Sequence, residues 1–276
     1  MSLFRRRWLP ILAIALLALF ALFGHSLTPY GYAQSDLLHR NLGPAFLGGT
    51  FDHPLGTDRL GRDVLARLVL ATRISLGIAL VGTLLAALVG TLLGLIAASF
   101  RGLVDETIMM MVDVQATLPF IVVALAVLAF LGNSITIFVV LMGVYGWETY
   151  ARLARGAALA AQGETYALAA VALGIRPVEL YRRHILPNIA GVLIVQLTLN
   201  FPHTILLETG LSFLGLGIQP PLTSLGQMLG EGRDFLLGAW WVAVIPGSAL
   251  FVTTLAVSRL GDGLRDWLDP KLRSRA

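Results

Sequence analysis

The chain's 276 residues are 57% hydrophobic and only 13% charged, and its apolar runs reach about 20 residues, which excludes an ordinary soluble core and makes the bilayer its solvent. It contains no cysteine, so disulfides, thiolate catalysis and cysteine-ligated metals are excluded. A net charge of +4 would suggest a nucleic-acid partner in a soluble protein; here it reads as loop orientation across a membrane, with no nucleic acid implied.

Six apolar runs, at 8–27, 74–100, 118–131, 135–150, 189–213 and 239–260, predict about six spans and an all-α integral membrane protein. The first follows Arg5, Arg6 and Arg7 and lacks a small-x-small cleavage site behind it, so it reads as a retained anchor. The third and fourth are separated at Gly132 and Asn133. Fourteen of the 20 Lys/Arg fall on the side of the two termini, which predicts a multi-pass membrane protein with both termini cytoplasmic. The chain divides into an anchor, external loop and interfacial helix over 1–73 and a transmembrane domain over 74–276.

The external stretch opens with Pro, Gly and polar residues and reads as loop; its end, 63–73, predicts an interfacial helix, on which Arg67 snorkels, entering the second span. Within 53–63 (HPLGTDRLGRD), alternating acids and bases beside glycines admit two readings. One is a self-paired turn; the other is an external gate, or a docking surface for a binding protein, formed by Asp58, Arg62 and Asp63.

The internal loop at about 160–188 predicts helix, glycine turn, helix. Glu164 suits a first turn, Gly174 an end, Pro177 a new start, and Pro187 a limit. The small residues Ala167, Ala169, Ala170 and Ala172 permit either packing on the chain's own ends or close approach by a partner.

Inside the spans, Asn200, His203, Glu208 and Ser212 are candidates for a translocation pathway, since an acid in an apolar run faces a cavity or a partner. Structural pairing or capping is the competing reading for Glu208, and the same two readings hold for Asp113 and Glu148. The five histidines are scattered, which predicts no metal site; His184 suits a lipid or subunit contact. Near the C-terminus, Asp262, Arg265, Asp266 and Asp269 suit internal ion pairs or a continued partner contact. No Gly-x-x-x-x-Gly-Lys-Ser/Thr cradle occurs, so no catalytic residue and no cofactor are assigned to this chain, and driving energy is expected from elsewhere.

The run 166–174 (YALAAVALG), eleven residues before Ile185-Leu186-Pro187, resembles the EAA loop of permeases in ATP-binding-cassette importers, with Leu168 where that family has Glu. HPLGTDRLGRD at 53–63 with RISL at 73–76, YARLAR at 150–155, LSFLGLG at 211–217 and GDGLRDWLDP at 261–270 resemble the second permease of dipeptide, oligopeptide and nickel importers. The resemblance implies a type I importer fold with a cytoplasmic coupling helix, ATPase contact through Tyr166, Ala169, Ala170, Gly174, Leu186 and Pro187, and four kinds of partner. These are the bilayer, a second similar permease, two ATP-binding subunits that use ATP and Mg, and an external solute-binding protein. Peptides are the first substrate reading and nickel or another metal chelate the second. An ion-coupled secondary transporter would show inverted repeats and paired mid-membrane acids, and an intramembrane enzyme a Ser/His or paired-acid constellation.

Overall fold

A computed structural model describes residues 2–268, with side chains from residue 9 to 266, so Asp269 and Pro270 lie outside the described residues. Helix α1 (Ser2–Phe23) leads through a long irregular segment to α2 (Val64–Phe100). Then follow α3 (Gly102–Thr117), α4 (Phe120–Leu131), α5 (Ile135–Val144) and α6 (Trp147–Gln162). Short α7 (Thr165–Ala172) and α8 (Pro177–Leu180) precede α9 (Leu186–Phe213), α10 (Leu225–Gly232) and α11 (Trp241–Leu268). No strand occurs among the described residues.

Four stretches are single helices long and apolar enough to cross a membrane: 9–27, 64–100, 177–213 and 241–266. A fifth arises if α3 and α4, bent by 90° at Leu118–Pro119, are one span. The expected third span is thus a 12-residue helix on a sharp bend, because Pro119 cannot continue α3. The expected fourth span is α5 followed by α6, broken at Tyr145 and at Gly146 with φ +84°. Neither helix is long enough to cross a membrane alone, α5 having 10 residues and α6 16. The division at Gly132 stands where expected: this glycine, φ +81°, ends α4, and Ser134 caps α5 by accepting from the Ile137 N–H.

The helix expected at 63–73 does enter the expected second span, the two forming one helix, α2, rather than an interfacial segment and a crossing. Asp63 caps it, accepting from the Ala66 N–H at 2.7 Å, and the helix then runs unbroken for 37 residues. Arg67 is 1% exposed and does not snorkel.

Helix α2 is the axis of the bundle, and α5 and α6 lie along it in the same direction. Missing side chains allow the approach: a Cβ on Gly82 would stand 2.6 Å from Met142 Cβ, one on Gly90 2.2 Å from the Trp147 carbonyl oxygen, and one on Gly94 2.4 Å from that of Ala151. Gly77, on the same helix, faces open space. Gly90→Ala is therefore expected to lower the melting temperature of the detergent-solubilised protein, by about 1–3 kcal/mol of stability as in overpacked cores, while Gly77→Ala leaves it nearly unchanged. Equal melting of the two variants would contradict the close packing of α2 on α6.

Two apolar clusters close the ends of α2. At its start Val64 and Leu68 pack with Leu225, Met228, Trp241 and Val242. At its finish Ala98 packs with Ala158, Ala161, Ala167, Ala170 and Ile185. These define an α10 end and an α7–α8 end. Helix α1 is held at the α10 end by Arg73, which donates to the carbonyls of Ala21 at 2.8 Å and Leu22 at 2.9 Å, the unpaired acceptors of a helix terminus.

Pro187 does not stop the helix before it. Residues Tyr181–Ile185 form a π turn, with the Leu186 N–H reaching back to the Tyr181 carbonyl, so helix runs from Pro177 to Phe213. The wider turn makes room where a proline ring meets the carbonyl four residues back.

Candidate functional site

The α7–α8 end carries a small, well-braced helical hairpin. Glu164 precedes α7 in extended conformation without a side-chain capping bond. Helix α7 stops at Gly174, φ +78°, in a Schellman arrangement: the Ile175 N–H bonds the Ala170 carbonyl and the Gly174 N–H that of Val171. A side chain at φ +78° is strained, which is what Gly174 avoids. Pro177 opens α8, where its missing N–H costs nothing. Behind the hairpin the Tyr166 hydroxyl accepts from Asn188 Nδ2 at 2.6 Å, and Gln162 Nε2 donates to the Tyr181 hydroxyl.

The hairpin has two faces. Ala167 and Ala170 are buried against α6 and the π turn. The outward face is apolar and open: Leu168, Val171, Leu173 and Val178 are 59%, 58%, 83% and 80% exposed. Of the residues expected to couple, Tyr166, Ala169, Gly174 and Pro187 are exposed and Leu186 is half-buried. Ala170 is the exception, a support that lets α7 sit close to the bundle rather than a surface residue. Leu168, at the position of the family's usual acid, lines with Val171 a cavity of about 560 Å³ between α7, α8 and the end of α2.

At the α10 end, Asp58, Arg62 and Asp63 are drawn into a largely covered cluster of charges. Asp58 and Asp63 are each 1% exposed. Asp58 Oδ2 accepts from Arg62 Nε and Arg67 Nη1, both at 2.6 Å, and both guanidiniums reach Glu231 Oε2 on α10 at 2.8 Å. Arg67 Nη2 also donates to Thr223 Oγ1 at 3.2 Å. Two cations and two anions cancel, which is the condition for burying them. Asp63, besides capping α2, bonds His53 Nδ1 at 2.9 Å. The self-paired reading of this stretch holds, with Arg67 and Glu231 as members it omitted. A lone arginine in an apolar run was the available signal, since it demands an acid; which acid was not readable, as Glu231 lies 164 positions away.

The residues expected to line a pathway all lie on α9. Asn200, Glu208 and Ser212 are buried and only His203 is exposed. Glu208 is fully covered and serves as an acceptor: Ser212 Oγ donates at 2.8 Å and Thr209 Oγ1 at 3.4 Å, while the hydroxyls of Ser75 on α2 and Ser224 at the start of α10 lie against the same carboxyl. Ser75 also accepts the Leu225 N–H and Ser224 the Gln227 N–H, so this one acid fastens α2, α9 and α10 together. Asn200 sits against Gly146 at the α5–α6 break, its Nδ2 without a partner among the described residues. Among the described residues no His/Cys/Asp/Glu group is arranged to hold a metal ion.

The family described as "Binding-protein-dependent transport system inner membrane component" matches residues 90–274. The chain is 37% identical over 267 residues to the di/tripeptide transport system permease protein DppC of Pseudomonas aeruginosa, covering 96% of this chain and 88% of that one. It is 39% identical over 266 residues to the glutathione transport system permease protein GsiD of Pectobacterium atrosepticum, covering 95% and 86%. It is 37% identical over 263 residues to the oligopeptide transport system permease protein OppC of Escherichia coli K12, again covering 95% and 86%. Its fold is similar to a chain of the inward-facing MetNI methionine ABC transporter, with a TM-score of 0.54 at 19% identity over 72% of this chain and 96% of that one. The type I importer fold, the apolar helices and the match across two thirds of its length establish the chain as a member of the binding-protein-dependent transport system inner membrane component family, a multi-pass permease of ABC transporters.

Proposed function

We propose that this chain is one of two similar permeases in an ATP-driven importer of peptide-type solutes, with an external binding protein delivering the solute and two partner subunits hydrolysing MgATP. The observation that carries the reading is the open apolar face of α7–α8, braced from behind and suited to a groove on a partner. The named relatives support the substrate class, since they transport di- and tripeptides, glutathione and oligopeptides. The arginine distribution supports placing the α7–α8 end and both termini in the cytoplasm.

The connections around the hairpin explain how a push there would travel. Only Gly163 and Glu164 separate α6 from α7, and α8 continues through the π turn into α9. A partner that moves the hairpin as a rigid body therefore moves two helices, α6 and α9, both packed along α2, which is the requirement for alternating which side is open.

Uptake by proteoliposomes of the complete complex, fed di- and oligopeptides or a nickel chelate through matching binding proteins, tests the reading. ATP-dependent peptide uptake is the expected result. Uptake of nickel alone would replace the substrate class, and uptake without any ATPase subunit would replace the importer reading with a secondary transporter.

A further inference from the structure

Helix α9 packs against α2, α6, α10 and α11 and still leaves one stripe open. Between Leu199 and Phe213 the exposed residues are His203, Leu206, Gly210 and Phe213, at spacings of three, four and three, which is a single line along the helix. Seven residues before His203 the same line carries Gln196, half-buried. Of the four residues of α9 expected along a pathway, His203 is the one that stands on this stripe.

The depth of His203 follows from its neighbour. Thr204 and Thr83 of α2 are joined hydroxyl to hydroxyl at 3.2 Å. Between Arg73 and Arg101, α2 carries no charged residue. A hydrocarbon layer of about 30 Å takes up about 20 residues of helix, and whichever such stretch of 74–100 lies in it, residues 81–93 are always included. His203 is therefore level with the hydrocarbon and not at a membrane surface. At this depth the exposed side chains of α2 are Val81, Leu84, Leu85, Leu88, Val89 and Leu92, all aliphatic, as a lipid-facing surface requires. An imidazole and a carboxamide two turns apart on α9 break that rule, because acyl chains offer them no hydrogen bond.

Resting on the permease reading above, we propose that the open stripe of α9 lines the aqueous passage and that His203 contacts the solute there through a peptide's main-chain amides. The two ring nitrogens supply a donor and an acceptor, the complement of a peptide C=O and N–H. Gly210, two turns on, has no side chain, and a Cβ there would meet nothing within 4 Å, so the stripe is unobstructed toward the α10 end. Contact with the main chain is indifferent to side-chain identity, which suits a passage for peptides of differing sequence.

The chain contains no cysteine, so one introduced thiol is its only one. His203→Cys and Leu88→Cys, the latter 58% exposed at the same depth on the aliphatic face of α2, are made separately in the complete complex in proteoliposomes with ATP. A charged, membrane-impermeant thiol reagent is present on both sides, and modification of this chain is read by mass. His203→Cys should react at least about tenfold faster than Leu88→Cys, and saturating dipeptide should slow it. Equally slow reaction of the two, as for a stripe covered by lipid or by a partner's helix, would overturn the proposal. In transport, His203→Leu should keep assembly and ATP hydrolysis while raising the dipeptide KM about fivefold or more. His203→Gln, which retains a donor and an acceptor, should recover most of that loss. An unchanged KM in His203→Leu would overturn the solute contact. Failure of the permease reading is separately visible, as wild-type complex that takes up no peptide at all.

Discussion

Arg67→Met is expected to lower the stability of the assembled permease more than any other single change in the α10 end, by about 3–5 kcal/mol, the cost of stripping a partner from buried charges. Asp58 and Glu231 would then share the single cation Arg62, with Thr223 losing a donor. Thermal unfolding of the detergent-solubilised protein should show a fall on the order of 10 °C. Adding Glu231→Gln should restore much of the loss, because Asp58 and Arg62 remain as a neutral pair. Losses that simply add would mean the four residues do not act as a unit. Arg67→Lys should recover little, since a point charge cannot reach Asp58, Glu231 and Thr223 together.

The second large effect concerns transport with stability left intact. Leu173→Asp places a charge on the outward face of the hairpin, where the side chain is 83% exposed and contributes little to the fold. Melting should stay within about 0.5 kcal/mol of wild type, while ATP-coupled uptake should fall by about thirtyfold, as expected when an apolar anchor of at least 2 kcal/mol is lost from a docking site. Leu38→Asp, at a side chain 92% exposed in the segment before α2, is the matched control and should change neither property. Unimpaired uptake by the Leu173 variant would move the partner contact elsewhere.

These two effects fall on opposite sides of what the chain reveals before folding. The hairpin was readable because its determinants are local: a glycine at the end of α7 and a proline at the start of α8 act within a few residues of themselves. Gly132 and Asn133 marked the α4–α5 boundary for the same reason. The buried charges were not readable, because their neutrality depends on Arg67 meeting an acid 164 positions away. Pro187 misled in a related way; a proline signals an interruption locally, but a one-residue widening of the turn before it keeps the helix whole. Glu208 shows why an acid in a span is ambiguous. Four hydroxyls from three helices make it a fastening point, and one of them, Ser75, lies far from it in the chain.

The unbroken length of α2 has a mechanical consequence. At 37 residues it is about 55 Å long, against a hydrocarbon thickness of about 30 Å, so it works as a lever whose arms extend beyond the bilayer. One arm ends beside the hairpin, the other in the Asp58–Arg67–Glu231 cluster. Pivoting such a rod by about 10° swings one tip about 10 Å relative to the other. A displacement of a few ångströms imposed at one end would thereby reach the other without any bond along the way having to change.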